Sequence, residues 1–342
     1  MELIPPGLWR NMTFGPPGPD RSDRDGLRED RNAGAASRSG RVAAMTRTLH
    51  LIQPRRAAES EAVIDKIAVI GLGCVGGSIA LAARDAWPSV LVIGVDEHEI
   101  LEKAMLRHAV DVASHDLSIV GDAGLVVLAR DEERNIEILP ELPRYLEGAA
   151  IVTDTGGTKA SIVEASRALP HHLTFIGGHP LIEPREGGID AARPDLLAGC
   201  PWVLVPPDPP HDEAFDRLWA VVSGLGADPA SMSAADHDRL AAALAHAPML
   251  AVAAALECIG RSVAADDLRY MDLPVAGLSR LAPGSPERWR AIARTNAAPL
   301  GAALDDLITM LQDLRAHLSD GGWVEEFVRR AAAVRQKPVP PA

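Results

Sequence analysis

KIAVIGLGCVGGSIA, Lys66–Ala80, is the stretch from which the fold is read. A short apolar run ends in Gly71, Gly73 and Gly76, and a helix-like segment follows. GxGxxG between a strand and a helix is the context of a dinucleotide-binding turn. Gly71 permits the tight turn, Gly73 lets backbone approach a pyrophosphate, and Gly76 lets helix and strand pack closely. Leu72 and Val75 complete the loop, whose helix start offers free N–H groups to phosphate. Asp96 closes the next apolar run, at the distance where an acid takes the adenosine ribose hydroxyls. Glu97, His98 and Glu99 follow it, with no arginine among them to receive a 2′-phosphate, so NAD is favoured over NADP.

Outward from this turn, apolar runs alternate with helix-like stretches. The runs are 66–71, 90–96, 124–129, 149–155 and 173–178; the stretches are 76–84, 97–107, 135–146 and 158–169. Near-continuous apolar strands alternating with helices predict a parallel sheet covered on both faces. Residues 201–205 read as one more strand at the edge. After Asp212 the strands largely stop, and Ala/Leu-rich segments 212–223, 234–260 and 286–318 read as helices. Pro248 should kink or break the second.

The expected fold class is therefore α/β: an N-terminal Rossmann-type dinucleotide-binding domain over 63–210, then an all-helical substrate and dimerisation domain over 211–335. Residues 1–62 are rich in Pro, Gly, Arg and Asp without periodicity and read as a disordered extension, with Met45 an alternative start. The Pro-rich tail 336–342 reads as loose.

The chain has 342 residues, 47% hydrophobic and 24% charged, enough for a real core. Its formal net charge of −13 argues against nucleic acid, which needs clustered cations. A small anionic substrate needs only one or two local cations and stays open. Three scattered cysteines support neither disulfides nor a metal site, and a reducing cytoplasm fits. No apolar run reaches roughly 18 residues, so no membrane span is expected.

GGHP, 177–180, follows the fifth apolar run. A histidine at a strand's carboxyl end lies beside the crevice where open α/β sheets bind ligands. His179 is either a base that takes a hydroxyl proton or a loop histidine with a structural hydrogen bond.

GLGCVGGSIA (71–80), TDTGGTK (153–159), GGHP, LLAGCPWVLVP (196–206), SAADHDRLAAALAHAP (233–248) and SRLAPGSPERWRAI (279–292) occur in an order that resembles the prephenate dehydrogenase family, over about residues 66–320. The resemblance implies a homodimeric NAD enzyme that oxidises and decarboxylates prephenate to 4-hydroxyphenylpyruvate. An arogenate or 4-amino-4-deoxyprephenate dehydrogenase, or a catalytically degenerate NAD-binding regulatory protein, are the alternatives. It implies His179 as the catalytic base, Thr155 at the cofactor, and Arg280 as the arginine that grips substrate, a task suited to a guanidinium; a surface ion pair is the other reading of Arg280. His246 matches the first histidine of the family's S-H-x-P-H motif, with either a binding or a structural role.

The chain departs from the family pattern at three places. Ala129–Glu132 stands where small polar residues and a proline are usual, so the serine that helps orient the catalytic histidine is missing. Leu181–Glu186 follows GGHP in place of A-G-x-E. Met249 replaces the second histidine of S-H-x-P-H. Arg130 and Arg185 are candidate replacement cations by position. A β-hydroxyacid dehydrogenase of the same two-domain plan would carry a catalytic lysine in the helical half, where no clear candidate stands.

Overall fold

The computed structural model describes residues 64–182, 187–206, 213–264, 266–267, 277 and 285–335. The expectations for 1–62, 336–342, Arg185 and Arg280 lie outside them.

Eight strands form one sheet: β1 (Lys66–Ile70), β2 (Leu91–Val95), β3 (Val112–Ser114), β4 (Leu125–Leu128), β5 (Ala150–Asp154), β6 (Leu173–Pro180), β7 (Pro201–Val205) and β8 (Asp228–Ser231). Their order is β3-β2-β1-β4-β5-β6-β7-β8. Only the β6–β7 pair is antiparallel, with His179 opposite Val203. Alternate residues feed opposite faces, as a strand dictates. Ile67 and Val69 of β1 join one apolar layer, and Ala68 and Ile70 the other.

The helices between strands are α1 (Cys74–Ala86), α2 (His98–Leu106), α3 (Glu132–Ile138), α4 (Ala160–Ser166) and α5 (Glu213–Gly224). After β8 come α6 (Ala234–Ala241), α7 (Ala247–Ser262), α8 (Pro286–Thr295), α9 (Ala297–Ala316) and α10 (Gly321–Arg335). Chain order reverses between β1 and β4, the switch point at which such sheets bind ligands.

Two strand expectations need correction. Residues 201–205 are not the edge, because β8 pairs in parallel beyond them. β8 reads DPAS and β3 reads VAS; neither carries an apolar run, and each forms because a neighbouring strand offers free backbone groups.

Pro248 does not break its segment. The π-helical turn Ala242–His246 joins α6 to α7 just before it. A π turn accommodates one extra residue, and here the proline stands at the start of regular α7. The run Ala234–Ser262 is thus 29 residues of continuous helix with a window of mean hydropathy 1.7, of which 17% is buried. By length and composition it could cross a membrane, which corrects the expectation that no apolar run is long enough. The expected helix 286–318 is two helices, divided at Asn296, whose buried amide donates to the Asp238 carbonyl at 3.0 Å.

Beneath β6 lies a buried ion pair. Lys159 Nζ meets Asp154 Oδ2, and both side chains are 0–1% exposed. Lys159 Nζ also donates to the Gly178 carbonyl at 2.7 Å, and Asp154 Oδ1 accepts Gly178 N at 3.0 Å. Together they clamp the strand that carries His179. Removing one partner of a buried pair strands a charge and costs about 3–5 kcal/mol. Lys159→Met should lower unfolding stability by that amount in a denaturant melt; a loss under about 1 kcal/mol contradicts the clamp.

Candidate active site

The glycine turn takes the shape its spacing requires. Gly71 has φ +100°, which L side chains rarely adopt, and a Cβ there would lie 2.8 Å from Ala129 backbone. A Cβ on Gly76 would lie 1.8 Å from the Gly71 carbonyl oxygen, whereas one on Gly73 meets nothing within 4 Å. Gly73 therefore faces open space, and a side chain would fill that space. Gly73 also caps α1 with no side-chain hydrogen bond, and no acid stands in the first turn. The helix-end N–H groups are left for an anion. These residues fit a dinucleotide pyrophosphate. Val75 packs partly buried against the sheet's core.

Asp96 is buried at the end of β2, as expected for the ribose acid. Its Oδ2 accepts Leu72 N at 2.5 Å, and its Oδ1 accepts Glu97 N at 2.8 Å. Arg130 Nη2 donates to the same Oδ1 at 2.9 Å. The reading of Arg130 is corrected by this contact. It is not the spare substrate cation, since its guanidinium is committed to Asp96. And an arginine does stand beside the acid, arriving from β4 rather than from the residues after β2. Thr155 follows β5 at the carboxyl end of the sheet, its N–H donating to the Leu128 carbonyl at 3.0 Å.

A cavity of about 550 Å³ opens between β6, α6, the π turn and α8, and His179, His237 and His246 line it. His179 Nδ1 lies 2.8 Å from His237 Nε2, and His237 Nδ1 lies 2.8 Å from Asp238 Oδ1. Asp238 is itself held by Lys159 N at 2.7 Å and Ala160 N at 2.8 Å. For neutral imidazoles, donor counts assign the tautomers. The carboxylate only accepts, so His237 Nδ1 donates to it. His237 Nε2 then accepts from His179 Nδ1–H, which leaves a lone pair on His179 Nε2. That atom would lie 3.9 Å from a Cβ on Gly157, as would His246 Nε2. His246 also stands edge-on to Trp289, centroids 5.9 Å apart. His179 and His246 therefore converge on the TDTGGTK loop.

Burial, then His237 and more distant cations, hold the His179 pKa well below 6.5. Burial and Arg288 push His246 down to about 4. Both imidazoles are neutral at pH 7. An unfolded chain would bind these protons near pH 6.5, so stability should fall as the pH drops from 6.5 through 4. The acid limb of kcat/KM should have its midpoint below pH 6.5. A limb at or above 6.5 would mean that His179 is not the titrating base.

Some of this was not foreseen. The orienting group for His179 is His237, present in SAADHD as an adjacent His–Asp pair that the sequence reading left unused. Glu132, at the departure from the family pattern, is buried and accepts Gly157 N at 2.6 Å. Arg288 lines the cavity beside Met249, although only Arg280 of that run was singled out.

A glycine cradle at the switch point beside a neutral histidine with a free lone pair defines a class: an oxidoreductase that uses a dinucleotide. The family described as prephenate dehydrogenase, nucleotide-binding domain, matches residues 79–230, and its dimerization domain matches residues 233–331. The chain belongs to the prephenate dehydrogenase family. It is 29% identical over 260 residues to prephenate dehydrogenase of Bacillus subtilis, covering 74% of this chain and 70% of that protein. The crystal structure of Synechocystis arogenate dehydrogenase superposes with a TM-score of 0.69 at 31% identity, covering 80% of this chain and 100% of that one. Prephenate dehydrogenase from Aquifex aeolicus, solved with hydroxyphenyl propionate and NAD+, shares the fold at 22% identity, with a TM-score of 0.75 over 82% of this chain and 99% of that one.

Proposed function

We propose that the chain oxidises and decarboxylates prephenate with NAD, giving 4-hydroxyphenylpyruvate and CO2 in tyrosine biosynthesis. NAD, when bound along Gly71, Leu72, Gly73, Val75 and Gly76, with Asp96 at the ribose and Thr155 nearby, supplies the hydride acceptor. His179 Nε2 accepts the proton of the ring hydroxyl as the carbon beneath it is oxidised. The positive charge formed on the imidazole is shared through His237 with Asp238, the logic by which a buried carboxylate supports a catalytic histidine. The ring carboxylate leaves as CO2 while its electrons aromatise the ring. Arg280, His246 and Arg185 are assigned to substrate by resemblance and position.

One observation carries this reading: the hydrogen-bonded chain Asp238–His237–His179 reaches the cavity wall, and with neutral rings it leaves the His179 Nε2 lone pair unused. It also weakens the degenerate alternative, because the missing serine's orienting task is taken by His237. The test is NADH absorbance with purified protein, NAD and, separately, prephenate and arogenate. Formation of NADH and 4-hydroxyphenylpyruvate from prephenate supports the proposal; no turnover of either sinks it.

We further propose a cytoplasmic homodimer built on the helical half. The 29-residue helix is mostly uncovered, and Ile308, Leu311, Leu318, Val328 and Val334 are exposed on α9, α10 and the residues between them. A helix apolar on every side calls for cover, and a second copy supplies it.

A further inference from the structure

We infer that the Arg288 guanidinium is a carboxylate-binding cation of the active-site cavity, additional to the Arg280 assigned by resemblance, and that it selects an oxo-acid side chain over an amino-acid one. The inference rests on the dehydrogenase reading above and names the substrate class within it.

Arg288 stands in the first turn of α8, where its N–H donates to the Ser285 cap at 3.2 Å, so the start of the helix is fixed. Two other arginines of α8 have partners: Arg294 reaches Glu133 of α3 at 3.0 Å and Arg290 reaches it at 3.9 Å. That acid neutralises one face of the helix. Arg288 points elsewhere, into the cavity, and is only partly exposed. Among the described residues its guanidinium has no carboxylate, carbonyl or hydroxyl partner.

The described lining holds no second arginine or lysine. His179 and His246 are held neutral, and Met249 offers a thioether where an imidazole would be usual. No aspartate or glutamate is in the described lining. The buried Glu132 lies behind Gly157 and already accepts its N–H. A carboxylate entering this largely apolar space finds one arginine in the described lining, and a guanidinium binds it through paired hydrogen bonds whose strength grows as water is excluded. An ammonium on the same side chain meets that cation and finds no acid in the described lining. The Arg288 side chain therefore rewards the oxo acid and penalises the amino acid.

The experiment compares wild type, Arg288→Gln and Arg288→Lys. Steady-state rates are taken with prephenate and arogenate at saturating NAD. In parallel, tryptophan fluorescence follows titration of 4-hydroxyphenylpyruvate and tyrosine, a matched oxo and amino pair that needs no turnover. Wild type should bind the oxo acid at least about 10-fold more tightly. Arg288→Gln should erase that gap and raise KM for prephenate by about 10- to 100-fold, with kcat changed less than about threefold and NADH affinity unchanged; Arg288→Lys should recover part of it. Unaltered prephenate KM and binding gap in Arg288→Gln overturn the inference, as does a parallel loss of NADH affinity, which marks a structural role. Wild type that turns over neither substrate yet binds the oxo acid in an Arg288-dependent way ends the activity reading and leaves the inference standing. Turnover of prephenate that ignores Arg288 does the reverse.

Discussion

His179→Asn is expected to lower kcat by about 10²–10⁴-fold, the usual share of a general base, while NADH affinity stays within about twofold. The two effects separate because His179 stands on β6 at the cavity, whereas the glycine cradle lies at the end of β1. Asparagine can keep a hydrogen bond to His237 Nε2 through its amide N–H, so β6 and its clamp remain in place. What disappears is the lone pair on the cavity side, together with the imidazolium that Asp238 would stabilise through His237. A stopped-flow trace of the first turnover is the decisive measurement, since slow product release could hide the loss in the steady state. Turnover near the wild-type rate would move proton transfer to another group, with His246 the other imidazole that faces Gly157.

Gly76→Ala is expected to weaken NAD by about 100-fold, roughly 3 kcal/mol. The added methyl carbon would sit 1.8 Å from the Gly71 carbonyl oxygen and 2.9 Å from Ala129 Cβ. No rotamer relieves a Cβ clash with backbone. Either the turn or the start of α1 must move, and both belong to the phosphate cradle. Gly73→Ala makes the useful contrast. Its Cβ meets nothing within 4 Å in the protein, so it should leave the thermal midpoint unchanged and reduce affinity only by intruding on the pyrophosphate. Fluorescence titration with NADH and a melting curve on each variant distinguish the cases. Wild-type affinity in a folded Gly76→Ala protein would mean that the dinucleotide does not rest on this turn.

The nucleotide half of the molecule was legible because its signals are local. Glycines at fixed offsets, an apolar run and a terminal acid each act within one loop or strand. β3 and β8 were not legible, because their pairing is decided by the neighbouring strand rather than by their own residues. Arg130 shows the same limit at a single side chain. Along the chain it is 34 positions from Asp96, and only the adjacency of β4, β1 and β2 brings its guanidinium to that carboxylate. The active site divides likewise. His179 could be picked out at a strand end, but the meaning of His237 and Asp238 depends on α6 packing against the start of α4. Arg288 emerged from the way α8 distributes its arginines between Glu133 and the cavity, which no spacing rule reveals.

The π turn at Ala242–His246 makes one unbroken helix serve two masters. Each residue advances a regular helix by 100°, so a single surplus residue resets which side of α7 looks inward relative to α6. Upstream of the turn, the inward side carries His237 and Asp238 to the cavity; downstream, the apolar surface is largely uncovered. Shortening the turn by one residue would rotate these two faces against each other, so that the histidine pair and the proposed subunit contact share a single point of mechanical phase.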